Sequence, residues 1–222
     1  AHNLGAKAVL WLDLTYTPIS LPHEVPYKFE WEQYPKQRQI YHGEEQTLVC
    51  PKSRSWKNFY LGNLDRLMKE EGVDGVYLDM TGPGSCNNHY HDCGYEAGGE
   101  WKGEIAFLDL RELFLRLYNV VHANDPEGIV FYHSNSWNPT VLYCDMNTKG
   151  EGWSRAEDYR TFSLPYYQAG YMFQHQYNIA HNFFATHLYV PYRGKPERVA
   201  SLAECVGLSL LHDTVPCVST SL

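Results

Sequence analysis

Strand-like and helix-like segments alternate along this chain, and that alternation restricts the fold more than any other feature of the sequence. Repeated strand, helix, strand units build a parallel sheet wrapped in helices. Lys7 to Tyr16 reads as the first strand, apolar on both faces through Val9, Leu10, Trp11 and Leu12, as a buried parallel strand is. From Ser55 the spacing turns helical, with Trp56, Tyr60, Leu64, Leu67 and Met68 on one stripe, and Gly72 ends the helix. Val73 to Asp79 is then a short buried strand closed by the turn Thr81-Gly82-Pro83-Gly84. Leu110, Leu113, Phe114, Leu117 and Val121 mark the inner face of a second helix, which Asn124-Asp125-Pro126 stops. Further strands are expected over Gly128 to Ser134, Val141 to Met146 and Phe183 to Val190, with a helix opened by Pro196 after the last. The stretch from Thr17 to Tyr41 holds Pro18, Pro22, Pro26 and Pro35. Its Tyr27, Phe29, Trp31 and Tyr34 make it read as an ordered surface loop.

About five or six βα units fit in 222 residues, which suits one domain over residues 1–222. A (β/α)8 barrel takes about 250 residues. The expected fold is therefore α/β, a TIM-type barrel that is incomplete in this chain and belongs to a longer protein. The opening without an initiator Met, and a final segment from Val215 to Thr220 that reads as the start of a strand, agree with that expectation.

The formal charge of -8 and the absence of a long basic run argue against nucleic acid as a partner. No apolar run reaches the eighteen or so residues of a membrane span. No cofactor is expected. Six cysteines are too few for a disulfide scaffold, yet Cys86 and Cys93 stand close together in a loop rich in Gly and Asn. A Cys86 to Cys93 bridge is expected on that ground, and with it a secreted or extracytoplasmic protein. Six free and mostly buried thiols are the alternative.

In parallel α/β folds the active site is built from the loops after the carboxyl ends of the strands. Asp79 ends an otherwise apolar strand and is followed by a Gly/Pro turn that leaves space before it. Glu151 stands between Gly150 and Gly152, at the expected end of a later strand, with Trp153 offering a stacking face beside it. Two carboxylates from separate strand ends are what glycoside hydrolysis requires, one protonating the leaving oxygen and the other attacking or stabilising the oxocarbenium-like centre. Asp145 competes for either role. An aromatic content of 15%, with eighteen Tyr and six Trp, suits sugar rings, whose C-H faces are apolar. His133 ends the strand Ile129 to Tyr132 and is placed to bind a sugar hydroxyl. The loop from Cys86 to Tyr95 follows Asp79 and should fold over the cleft, bringing Asn88 and His91. With Tyr16, Asp145, Trp153 and His187 these complete the expected substrate-binding set. The His89-x-His91 pair with two cysteines raises a zinc site, but no third ligand stands at motif spacing, so no metal is expected.

Asp74-Gly75-Val76-Tyr77-Leu78-Asp79, then Cys86-x-Asn88-x-x-His91-x-Cys93-Gly94-Tyr95, Arg111-Glu112-Leu113 and Gly150-Glu151 resemble the TIM-barrel glycoside hydrolase-like proteins related to glycoside hydrolase family 123. The resemblance covers most of the chain, and the Asp79 strand with its Cys/Asn/His loop is its most specific part. It implies a secreted exo-acting enzyme on N-acetylgalactosamine-containing or related glycans. Family 123 uses an adjacent Asp-Glu pair with help from the substrate's acetamido group, and no such pair stands at a strand end here. That departure favours the pattern of related α-retaining barrels, with Asp79 as nucleophile or stabiliser and Glu151 as general acid/base. A non-catalytic glycan-binding or structural barrel is the alternative reading.

Overall fold

Parallel strands with helices between them are what the chain forms. The computed structural model describes residues 2–21, 26–41, 43–79, 81–133, 141–149, 183–189 and 215–219. Two compact units emerge, residues 1–130 with 137–143, and residues 131–136 with 144–222. In chain order the first holds β1 (Val9–Asp13), β2 (Tyr16–Pro18), α1 (Lys28–Trp31), β3 (Arg38–Tyr41), β4 (Glu44–Leu48), α2 (Arg54–Glu71) and β5 (Gly75–Asp79). After them come β6 (Ser85–Cys86), β7 (Tyr95–Ala97), β8 (Glu100–Lys102), β9 (Glu104–Ile105), α3 (Phe107–Asn124) and the opening of β10 (Ile129–His133).

β1 and β5 pair in parallel, from Val9 opposite Gly75 to Asp13 opposite Asp79. The Asp74 carbonyl accepts the Ile129 N–H at 3.0 Å, which brings the start of β10 against β5. Alternation along β5 separates two faces: Val76 and Leu78 are fully buried, whereas Tyr77 and Asp79 are half-buried. Asp79 lies with Tyr77 on the second of these faces.

The helices follow their sequence signals closely. Ser53 caps α2 by accepting the Trp56 N–H at 3.4 Å, and Gly72 closes it in the left-handed region at φ 64°. Trp56, Leu61, Leu64 and Met68 form its buried stripe, and Leu110, Leu113, Phe114, Leu117 and Val121 that of α3. Each such side chain contributes about 1.5–3 kcal/mol of transfer free energy when fully buried. α3 stops because Pro126 follows: Asp125 turns extended while its N–H still reaches the Val121 carbonyl.

The loops after β1 and β5 are folded structures. The first contains an antiparallel sheet in the order β2-β4-β3, with Tyr16 opposite Leu48 and Arg38 opposite Thr47. The expected strand Lys7 to Tyr16 thus ends at Asp13, and the expected irregular stretch from Thr17 holds three named elements. Leu14 misled the reading because it is apolar and fully buried, although the chain turns away from the parallel pair there. In the second loop β6 pairs with β9, and β7 with β8 through a turn whose Gly98 and Gly99 both have positive φ. Such a two-residue turn matches the twist of a hairpin, and glycine meets its φ requirement without strain.

The second unit contains the end of β10, β11 (Met146–Lys149), β12 (Phe183–Tyr189) and β13 (Val215–Ser219). They pair in parallel in that order, with Phe131 opposite Met146, Met146 opposite Phe183 and Ala185 opposite Val215. The segment expected as the opening of a strand at the end of the chain is β13. Val141 to Tyr143, expected as strand, is a single 3-10 turn. A short apolar run does not discriminate helix from strand, and here the strand starts three residues after it, at Met146. The helix expected after Pro196 lies outside the described residues. Among the described residues no helix is long and apolar enough to cross a membrane.

Candidate functional site

Asp79 ends β5 on its half-buried face, and directly across from it Asp13 ends β1. Register partners on neighbouring parallel strands point to the same face, so two carboxylates share one rim. The Leu14 N–H donates to the Asp79 carbonyl at 3.0 Å and fixes the two strand ends together. Two phenols lie within reach of the Asp13 charge. Burial first, and then Asp13, raise the Tyr16 hydroxyl above its ordinary range, and the same two causes in the same order raise Tyr60. Tyr16 comes from the start of β2 and Tyr60 from the first half of α2. Asp13, Asp79 and the Tyr16 phenol make an acidic corner at the carboxyl ends of β1 and β5, and the Tyr60 hydroxyl is buried. Such a corner can hold a proton, stabilise positive charge and bond sugar hydroxyls.

Beyond Asp79 the second loop is tied to the first by a set of bonds. The Asn88 amide donates to the Phe29 carbonyl at 2.8 Å and the Glu32 carbonyl at 2.7 Å, and its oxygen accepts the Tyr90 N–H at 2.9 Å. Gln33 donates to the Ser85 carbonyl at 2.9 Å, and the Asn87 N–H to the Tyr34 carbonyl at 2.9 Å. Asn88 is buried with its amide satisfied by protein, so it braces the loops, and the expectation that it binds substrate gives way to that role.

Inside this junction Cys50, Cys86 and Cys93 are buried and free, as is Cys144 in the second unit. The expected Cys86 to Cys93 bridge is therefore not formed, and the extracytoplasmic expectation loses the support it drew from that bridge. Cys50, which follows β4, approaches Cys93 with its sulfur at 3.8 Å, far beyond the ~2.05 Å of a disulfide. His91 Nε2 is 3.4 Å from the Cys86 sulfur, and its Nδ1 is 2.5 Å from the Glu30 carbonyl oxygen. Both ring nitrogens of His91 are engaged within the protein, which removes it from the sugar-binding set. One candidate ligand atom from each of Cys50, Cys86, His91 and Cys93 lies within 4.8 Å of all the others. His89, the other half of the His-x-His pair, instead stacks on Trp101 with ring centroids 4.6 Å apart. Hydrogen bonding from Cys50 and then Cys93 holds the Cys86 thiol low, whereas Cys50 and then Cys86 push Cys93 up, and Cys86 above all pushes Cys50 up to about 12.

The other expected residues belong to the second unit. His133 is the last residue of β10 and half-buried, and Asp145 is half-buried immediately before β11. His187 lies in β12, opposite Cys217. Glu151 and Trp153 lie outside the described residues. Two residues escaped the sequence reading. Asp13 carries the same signal as Asp79, an acid closing an apolar run, but a strand drawn on to Tyr16 hid it. Cys50 left only the weaker signal of a Cys-Pro turn ahead of a helix cap.

Residues 27–113 match a family described as a domain of unknown function (DUF6259). No curated protein matches the sequence. Among solved structures the chain is similar to the noncanonic maltogenic α-amylase AmyB from Thermotoga neapolitana, with TM-score 0.65 and 10% identity over 99% of this chain and 47% of that one. It is similar to the α-galactosidase TtGalA from Thermus thermophilus, with TM-score 0.58 and 13% identity over 97% of this chain and 44% of that one. It is also similar to α-L-fucosidase isoenzyme 2 from Paenibacillus thiaminolyticus, with TM-score 0.55 and 13% identity over 100% of this chain and 35% of that one. The chain spans less than half the length of each. At such identities the likeness is one of fold, the α/β parallel-sheet architecture of glycoside hydrolase domains.

Proposed function

We propose that this chain supplies a carboxylate-bearing face of a glycosidase, with Asp79 as nucleophile or charge stabiliser and Glu151 as general acid/base. The substrate class is a glycan, and the resemblance to family 123-related proteins points to one containing N-acetylgalactosamine. The observation that carries the reading is the register of β1 on β5, which sets Asp13 beside Asp79 at the strand ends. Bond cleavage at an anomeric carbon builds positive charge on the sugar, and fixed carboxylates stabilise that charge without reorganising. In this reading Asp79 is the reacting group, Asp13 beside it adds a second negative charge, and Tyr16 bonds a sugar hydroxyl. His133, Asp145, Trp153 and His187 are the proposed sugar contacts from the rest of the chain.

The test is hydrolysis of a panel of α- and β-linked aryl glycosides, N-acetylgalactosaminides included, by the wild-type protein and by Asp79→Asn, Glu151→Gln and Asp13→Asn. Circular dichroism checks that each variant folds. General acid/base catalysis is worth about 10²–10⁴-fold, so Glu151→Gln should fall by that much and Asp79→Asn by at least as much. Full activity in either variant rejects its assigned role. With Asp79 as nucleophile the first sugar released keeps its anomeric configuration, and inversion seen by NMR would reassign it.

A further inference from the structure

We propose that Cys50, Cys86, His91 and Cys93 form a closed, structural zinc site that clips the loop after β1 to the loop after β5. A tetrahedral zinc with Zn–S near 2.3 Å and Zn–N near 2.0–2.1 Å sets sulfur–sulfur edges of about 3.8 Å and sulfur–nitrogen edges of about 3.5 Å. The Cys50–Cys93 sulfurs stand 3.8 Å apart, and the Cys86 sulfur is 3.4 Å from His91 Nε2. All four ligand atoms fall within 4.8 Å of one another, the size of a single coordination sphere. The histidine is oriented as a ligand is: Nδ1–H donates to the Glu30 carbonyl, which leaves the Nε2 lone pair facing the sulfurs. The sulfurs receive backbone donors as metal thiolates do, Cys86 from the Tyr34 N–H at 3.4 Å and Cys50 from the Lys52 N–H. Three thiols cannot pair off as disulfides without leaving one over. Soft sulfur donors with one imidazole in tetrahedral arrangement select zinc among the common divalent ions.

Four protein ligands leave no open position for water or substrate, so the ion is structural and the site lies outside the glycosidase chemistry. Cys50 comes from the loop that follows β1, and Cys86, His91 and Cys93 from the loop that follows β5. Binding releases the protons still held by the thiols, and affinity weakens towards acid pH.

The test is metal analysis of the protein purified without chelator, together with reconstitution of the metal-free, reduced protein with cobalt(II). One zinc per chain is expected. One equivalent of cobalt should give the charge-transfer and d–d absorption of a tetrahedral site with three thiolates. Cys93→Ser and His91→Ala should each lose the metal, and Cys144→Ser should keep it. Should Cys93→Ser fail to fold, zinc release from the wild type by a thiol-blocking mercurial answers the same question, with one zinc freed as three thiols are modified. No retained zinc together with no tetrahedral cobalt spectrum would overturn the proposal, as would a disulfide among these cysteines in mass spectra of the alkylated protein. Asp79→Asn should leave the zinc content unchanged, so failure of the hydrolase reading and failure of this one are separate results.

Discussion

Replacing Gly75 by alanine puts a methyl group where the chain has no room for one. A Cβ built on Gly75 falls 2.0 Å from the Ile129 carbonyl oxygen and 2.7 Å from its nitrogen, and both are backbone atoms that cannot rotate aside. Cβ atoms essentially never approach within 3.0 Å, so the start of β10 must withdraw from β5 by about 1 Å. The Asp74 to Ile129 bond, now 3.0 Å, would then be lost. Overpacking of this kind costs about 1–3 kcal/mol and the lost hydrogen bond about 1 more, for a total of about 2–4 kcal/mol. For a chain of this size that lowers Tm by about 4–16 °C. Gly62 is the control, because it lies in α2 with nothing within 4 Å of its Cβ position. Gly62→Ala should raise stability by about 0.5–1 kcal/mol through helix propensity. Urea unfolding and scanning calorimetry of both variants decide the matter. A Gly75→Ala protein that melts with the wild type would refute the close approach of β5 and β10.

Two further outcomes follow from buried polar groups. Lys57 is buried on α2 and bonds Asp109 and Glu112 of α3, and its hydrogen bond is the main reason the Glu112 carboxyl sits below its usual range. A depressed carboxylate pKa adds stability above the unfolded value near 4.3, and that stability is lost as pH falls through the folded value. Lys57→Met should therefore lose about 1 kcal/mol or less at pH 7, because Glu112 is half in water, and the gap to wild type should shrink below about pH 4. A gap that widens in acid, in thermal melts from pH 7 to 3, would contradict this. Tyr60 has a buried hydroxyl with no hydrogen-bond partner among the described residues. Tyr60→Phe should be neutral or stabilising by up to about 1 kcal/mol, and a loss larger than that in chemical denaturation would mean that the hydroxyl is satisfied.

What the sequence made legible was whatever depends on near neighbours. The stripes and stops of α2 and α3 were read to within a residue or so, since caps, Gly72 and Pro126 act locally. The same holds for β5 and for Asp79 at its end. The loop after β1 was not legible. Its sheet pairs Tyr16 with Leu48 and Arg38 with Thr47, and the β4 strand between them carries Gln46 and Thr47 in buried positions that hydrophobic patterning does not flag. Glu32 is another case: a glutamate in a proline-rich stretch reads as exposed, yet it is buried between Arg38 and Lys36. Only the folded loop supplies the two cations that make its burial tolerable.

The cysteines failed for a different reason. Reading them along the chain rewards the nearest pair, Cys86 and Cys93, and dismisses a metal for want of a third ligand close by. The third sulfur, and fourth ligand, is Cys50, 43 residues before Cys93, and it is delivered by the turn that leads into α2. Its arrival changes the chemistry, since three sulfurs and an imidazole fit one tetrahedral ion better than they fit any set of disulfides. It also ties the cluster mechanically to the carboxylate rim. The segment that ends β1 with Asp13 goes on to Cys50, and the one that ends β5 with Asp79 goes on to Cys86. Substitutions at the cluster should thus loosen both segments and reduce any hydrolysis along with metal content, whereas substitutions at the rim should spare the metal. That one-way dependence is expected of an ion held by the cluster alone, and an ion held by the rim carboxylates would not produce it.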